Sequence, residues 1–157
     1  MEVDISKVQD VVERFKDANT HAPREVAQAL AALIGDAEVS HSVAVYEIEG
    51  DRVTWECMAV AGGAVVHVSA SRVGGEWYAD DFDAGGEAPI VHGHFIPLDE
   101  VASVRLLELK SSSTTRWLSR WQLQLRNGDP QVIPWPRHAD GQEQHERLAR
   151  AVADQLT

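Results

Sequence analysis

The side chains best suited to metal chemistry are two histidines that alternate along one segment. His92 and His94 flank Gly93, and residues i and i+2 of an extended chain point to the same side. Neutral imidazole is a common Zn²⁺ ligand, so this pair is the candidate metal site. We favour ordinary strand-edge histidines, because the chain has neither a cysteine cluster nor a His-Glu-x-x-His helix. Further ligands would come from His67, predicted on the outer face of its strand, or from three aspartates: Asp80, Asp81 and Asp83.

The other reactive side chains predict no catalytic constellation. Asp81 and Asp83 would share a side suited to Mg²⁺ or acid–base work, but a solvated, aggregation-resistant strand edge is the favoured interpretation. Cys57 is the single cysteine and alternates with apolar strand residues, so we expect a buried, unreactive thiol. Gly62-Gly63 lacks the Lys-Ser/Thr ending of a phosphate loop and predicts a turn. The sequence therefore favours a non-catalytic protein without a cofactor.

Tryptophans and arginines near the end of the chain are candidates for protein binding. Trp117 and Trp121 share one face of a period-two segment, and Trp135 follows the next predicted strand. Core burial is the favoured interpretation, because tryptophans fill volume inside a small barrel. A tryptophan that proved exposed near an arginine would make a binding hot spot. The arginines in question are Arg116, Arg120 and Arg126.

Two apolar stripes predict a helical hairpin over residues 1–40. Ile5, Val8, Val12 and Phe15 are spaced three, four and three apart. A second stripe runs from Pro23 to a stop at Gly35. The first stripe either packs on the sheet as core, which we favour, or forms an interface for a second copy or another protein. Ile5, Val8 and Phe15 represent that interface.

From residue 41 the pattern becomes antiparallel β. Runs at 42–49, 52–61, 64–72 and 76–82 are separated by glycine-containing turns. A ragged strand over 90–96, strands over 101–110 and 117–125, and a short strand over 131–133 follow. A closing helix from Gln142 carries an apolar stripe at 3.6-residue spacing. The predicted class is α+β, with the hairpin preceding a seven-stranded antiparallel domain over residues 41–157.

This order of elements resembles a pleckstrin-homology-like domain, a bent seven-stranded barrel capped by a C-terminal helix. The resemblance rests on the element order, on the segment Ile96–Val101 leading into the fifth strand, and on Trp135 before the helix. Phosphoinositide-binding members use a cluster of Lys and Arg on the first two strands. Residues 42–61 hold only Arg52 among four acids, so no phosphoinositide is expected. The resemblance instead implies protein binding.

Charge and composition limit the possible partners. Asp and Glu number 25 against 14 Lys and Arg, giving a net charge of −11, which opposes binding to nucleic acid or an anionic membrane. The acidic side chains are concentrated in the middle of the chain, where they could select a basic partner. A lone cysteine and the lack of a long apolar run lead us to expect a cytoplasmic protein.

The sequence thus predicts a cytoplasmic, non-catalytic protein-interaction module, an adaptor or assembly subunit, that binds another protein or itself. One alternative is a small barrel that holds an apolar ligand. The other is a metal-dependent hydrolase that uses His92, His94 and a nearby aspartate.

Overall fold

The computed structural model describes residues 5–79, 87–111, 113 and 117–156. These residues form an α+β fold of three helices and antiparallel sheets, as predicted. The predicted sites Asp80, Asp81, Asp83 and Arg116 lie outside the described residues.

The N-terminal unit contains two helices joined by a short β-turn. Its elements are α1 (Ile5–Arg14), β1 (Lys16–Asp17), β2 (Thr20–His21) and α2 (Arg24–Ile34). Pro23 precedes α2 with φ −67°, and Gly35 ends it with φ +62°, a conformation that glycine adopts without a steric cost. The two predicted helices are confirmed, whereas the small β-hairpin between them was not predicted.

The first sheet has four antiparallel strands in sequential order. They are β3 (Val39–Glu49), β4 (Arg52–Ala61), β5 (Ala64–Val73) and β6 (Ile90–Pro97). The turns at Gly50 and Gly62 have positive φ, and they form the hairpins that the glycines predict.

The predicted strand over residues 76–82 is wrong in its described part, since residues 76–79 form no strand. Trp77 is buried, and its carbonyl accepts a hydrogen bond from the Trp55 indole at 2.8 Å. The Ala79 N–H donates to the backbone carbonyl oxygen of His21 in the N-terminal unit. Because these contacts use the backbone groups that a ladder would need, the fourth strand forms later, at β6.

The second sheet has three strands. A single 3-10 turn, Leu98–Glu100, leads from β6 into β7 (Val101–Ser111), which pairs with β8 (Trp117–Leu125) and then β9 (Pro130–Val132). Among the described residues, no strand pairing joins this sheet to the first one. The chain ends in α3 (Ala139–Asp154).

Both faces of the central strands β4 and β5 are largely buried, whereas the edge strand β6 is mostly exposed. One face, which includes Trp55 and Val68, packs against α1 and α2. The other face, which includes Met58 and Val65, packs against the second sheet and against Leu148 of α3. The apolar faces predicted for β4 and β5 are indeed core, and their neighbours are the N-terminal helices.

Asp17 joins the N-terminal unit to the rest of the chain. One of its carboxylate oxygens accepts the Tyr46 N–H of β3 at 3.0 Å. The other lies 2.9 Å from Nε2 of His138, the residue that caps α3 by accepting the Gly141 N–H. One side chain therefore contacts both the first sheet and the start of the last helix.

Candidate functional site

Four large apolar side chains are exposed along the half of the β7–β8 ribbon that runs from its middle to the start of β8. They are Leu106, Leu107 and Leu109 of β7 and Trp117 at the start of β8, each 46–58% exposed. Leu109 pairs with Ser119 and Ser111 pairs with Trp117, so Trp117 is a diagonal neighbour of Leu109, within reach of an aromatic ring. We call these four residues the leucine–tryptophan surface.

The leucines of this surface lie on a free strand edge. The strand order is β7-β8-β9, so β7 has a paired neighbour on one side only within the described part of the chain. An edge strand offers unpaired N–H and C=O groups, and proteins normally protect it with charges or bulges. β7 has a bulge and the charges of Arg105, Glu108 and Lys110, yet it also exposes three leucines. Exposed apolar side chains on a strand edge are typical of a surface that another chain covers.

A cleft of about 490 Å³ separates the start of β8 from the first turns of α3. Trp117 and Leu118 line one side, and Glu143 and Glu146 line the other. Both carboxylates are paired along the helix, Glu143 with Arg147 at 2.6 Å and Glu146 with Arg150 at 3.0 Å. The charges of these two glutamates are therefore compensated along the helix.

Glu146 fixes α3 against β8. Its carboxylate accepts the Trp121 indole N–H at 2.8 Å and the Ser119 hydroxyl. Burial raises the pKa of Glu146, but the hydrogen bonds from Ser119 and Trp121 and the charge of Arg150 lower it more, so it lies below its ordinary value. The carboxylate is therefore ionised at neutral pH and holds the wall of the cleft in place.

His145, the next residue of α3, is fully buried between β8 and the segment after β9. Its Nε2 accepts the Trp121 backbone N–H at 3.0 Å, and its Nδ1 lies 2.7 Å from the Pro134 carbonyl oxygen. The ring thus bridges the Trp121 N–H of β8 and the Pro134 C=O, which lies two residues after the end of β9 at Val132. Burial lowers the pKa of His145, with a smaller lowering from Arg120 and opposing increases from Pro134 and Glu146. The neutral tautomer with a proton on Nδ1 fits both contacts.

A second cleft of about 440 Å³ lies between the two sheets. The His67 ring contacts Glu56 at 2.8 Å and Gln131 at 3.2 Å, and Glu56 accepts the Ser69 hydroxyl at 2.6 Å. Both ring nitrogens are occupied and the serine faces the carboxylate, so no hydroxyl is paired with the imidazole as an activated nucleophile would be. The contacts link the sheets. The face of β5 that carries His67 packs against the second sheet, where the ring contacts Gln131 of β9, so its predicted position on an outer face is wrong.

Within the described residues, the three candidate histidines do not form part of a three-ligand metal site. His92 and His94 are exposed on β6, opposite Ser69 and His67. The His94 ring stacks on the His67 ring with centroids 6.2 Å apart. Across the residues that the structure describes, no three His, Cys, Asp or Glu side chains are arranged to hold a metal ion. Gly93 has a packing explanation, because a Cβ there would lie 2.7 Å from Leu33 of α2.

The predicted binding residues lie in different surroundings. Ile5 is 86% exposed, Val8 is half-buried against the first core, and Phe15 is fully buried within it. Phe15 is therefore a core residue of the single chain.

The predicted binding residues of β8 lie nearer the leucine–tryptophan surface. Arg120 is exposed and its guanidinium sits 5.3 Å from the ring centre of Trp135. Trp121 is half-buried against Glu146. The prediction that all three tryptophans are core is wrong for Trp117, which is 58% exposed.

Sequence reasoning missed the β7 leucines and His145. Leu106-Leu107 places two leucines in succession inside a period-two segment, and that irregularity is a detectable sign of a bulge or an unpaired face. His145 lies three residues before Leu148 on the apolar stripe of α3, a spacing that predicts a buried ring.

No protein-family model, no curated protein and no solved structure matches the chain. Within the described ranges, none of the three helices has the length and apolar character that crossing a bilayer requires. The geometry of the leucine–tryptophan surface therefore carries the functional argument.

Proposed function

We propose that this chain is a non-catalytic protein-interaction module of pleckstrin-homology-like architecture, and that the leucine–tryptophan surface is its contact site. The proposed architecture is supported by four sequential strands followed by three, with the 3-10 turn at Leu98–Glu100 between them. The packing of Leu148 and Val152 of α3 into the second core supports a closing role for that helix. The cytoplasmic location expected from the sequence remains part of this proposal.

The observation that carries the proposed function is the exposure of four large apolar side chains on and beside one free strand edge. Complete burial of one such side chain is worth about 1.5–3 kcal/mol, so covering the exposed half contributes on the order of 1 kcal/mol each. An exposed tryptophan with apolar neighbours is a typical anchor at the centre of a protein interface, and Trp117 has this character with Leu109 as its diagonal neighbour. The cleft between the sheets supports the non-catalytic part, because the polar groups around His67 are already paired with one another.

Photo-cross-linking from defined positions tests this surface in cells. A photoreactive phenylalanine analogue at position 107 should cross-link one discrete protein, and the same analogue at position 48 should not. Ile48 is the matched control, because it is an apolar residue of β3 with 55% exposure. Introducing Leu109→Asp into the position-107 chain should abolish the product, whereas Ile48→Asp should leave it unchanged. Equal products from both positions, or a product that survives Leu109→Asp, would refute the proposed surface.

A further inference from the structure

We propose that the partner at the leucine–tryptophan surface is a second copy of this chain, joined by antiparallel pairing of β7 with β7. The inference rests on the proposed function and names the partner for that same site. The pairing would place the two-fold axis midway between Leu106 and Leu107. Two observations motivate it. One is the bulge at Leu107, and the other is that this bulge places Arg105 and Glu108 on the same face of β7.

The extra residue at Leu107 changes which side chains of β7 share a face. Leu106 pairs with Trp121 and Glu108 pairs with Arg120, so Leu107 has no partner on β8. Residues directly opposite each other in an antiparallel pair share a face, and side chains alternate along the regular strand β8. Arg105 and Glu108 therefore lie on one face of the ribbon, because their partners are Gln122 and Arg120.

The other face of β7 is apolar at matching positions. Val104 and Leu109 pair with Leu123 and Ser119, which lie on the same side of β8. A regular strand would put residues 104 and 109 on opposite faces, so the bulge makes the two halves of β7 equivalent about its centre.

A two-fold axis between Leu106 and Leu107 brings these equivalent halves together. Arg105 then lies opposite Glu108 of the second copy, and the symmetry repeats this opposite-charge pair. Val104 lies opposite Leu109 on the apolar face, and Leu106 lies opposite Leu107. Such a self-complementary contact is what a two-fold dimer requires.

Neighbouring registers are worse matched. An axis through Leu107 would oppose Arg105 to Leu109, which lie on different faces, and directly paired residues cannot do that. An axis between Leu107 and Glu108 would oppose Arg105 to Lys110, two like charges on one face. Of these three registers, only the one centred between Leu106 and Leu107 pairs residues of the same face and also places opposite charges across from each other.

Edge charges and bulges usually prevent strand pairing, but here they complement a second copy. Glu108 is partly exposed and lies 3.0 Å from Lys110 and 3.8 Å from Arg120. Arg105 is exposed and makes no ion pair with another residue in the described ranges. It is therefore the cation available to Glu108 of a second copy.

Complementary charge reversals test this register. Arg105→Glu would oppose two pairs of acids across the axis, and Glu108→Arg would oppose two pairs of arginines. Each variant alone should dimerise about tenfold or more weakly than the wild type. Mixed together, the two variants restore both opposite-charge pairs, so a heterodimer should form. Light scattering over a concentration series and native mass spectrometry of the mixture, with one variant isotopically labelled, measure these outcomes.

Three results would overturn the inference. The first is a wild-type chain that stays monomeric up to its solubility limit. The second is dimerisation unaffected by either reversal, and the third is a mixture that forms no heterodimer although circular dichroism shows both variants folded. If the chain stays monomeric while position 107 cross-links a different protein in a Leu109-dependent way, the proposed function survives and only the partner is wrong. If neither occurs, both fail.

Discussion

Replacement of His145 should reveal how much of the second core depends on one buried ring. In His145→Leu the volume is roughly kept, but the Trp121 N–H and the Pro134 carbonyl lose their partner. An unsatisfied buried donor or acceptor costs about 1–3 kcal/mol, so the free energy of unfolding should fall by about 2–6 kcal/mol. For a chain of this size, 1 kcal/mol shifts the melting temperature by about 2–4 °C. The expected fall in Tm is therefore roughly 4–24 °C.

Urea denaturation of wild type, His145→Leu and His145→Gln separates hydrogen bonding from packing. The glutamine amide can accept or donate at one of the two positions, so His145→Gln should lose less stability than His145→Leu. A leucine variant that is as stable as the wild type, or more stable than the glutamine variant, would refute the role assigned to the ring.

The same ring predicts an acid-dependent loss of stability. Because burial lowers the pKa of His145 below its ordinary value of 6.5, the unfolded chain binds a proton at mildly acidic pH while the folded chain does not. The unfolded state then holds more protons, and stability falls as pH drops below about 6.5, by up to about 1.4 kcal/mol per pH unit for one proton. This part of the pH dependence should disappear in His145→Gln. Parallel stability–pH curves for the two proteins would contradict the argument.

Three further predictions concern the first core and the N-terminal unit. Gly93→Ala should destabilise the fold by about 1 kcal/mol or less, at the low end of overpacking costs, because its Cβ would lie 2.7 Å from Cδ1 of Leu33, the flexible end of a side chain that can shift. The loss should shrink in a Leu33→Ala background, as urea midpoints would show. An equal loss in both backgrounds would contradict the packing explanation. Phe15→Ala should lower the free energy of unfolding by about 3–5 kcal/mol, because Phe15 is fully buried. Ile5→Asp should lower it by less than about 0.5 kcal/mol, because Ile5 is 86% exposed. Equal shifts in melting temperature would be inconsistent with that difference. Cys57 should react with a thiol reagent only in denaturant, because burial, helped by the charges of Glu56 and Asp17, raises the pKa of its thiol; rapid labelling of the native chain would show that the site opens.

Local signals in the sequence were sufficient for the helices and for the first three strands of the sheet. Pro23 and Gly35 bound α2, and Gly50 and Gly62 make the turns of sequential hairpins, so each element is specified by residues within it. Contacts over longer distances could not be read in this way. The path of the chain at Trp77 depends on Trp55 and His21, which are far away in sequence.

The candidate site was the least predictable part. Period-two alternation puts Trp117 and Trp121 on the same face, but α3 covers the second more than the first. The pattern cannot say where a covering helix ends. The bulge at Leu107 changes the face of every later residue in β7, and a search for regular alternation passes over it. The resemblance to a pleckstrin-homology-like domain stays a prediction.

The central strands β4 and β5 contribute one face to each of the two hydrophobic cores, so both cores depend on the same sheet. Loss of α1 and α2 would expose Trp55, Val68 and their neighbours to water. The opposite face of the same sheet would still pack against Leu148 of α3. The N-terminal helices are therefore a poor candidate for a detachable arm that swings or exchanges between molecules. Because both cores use the same sheet, loss of either core should destabilise the other, and the chain should unfold in a single cooperative transition. A proteolytic cut within residues 5–38 should therefore destabilise both cores.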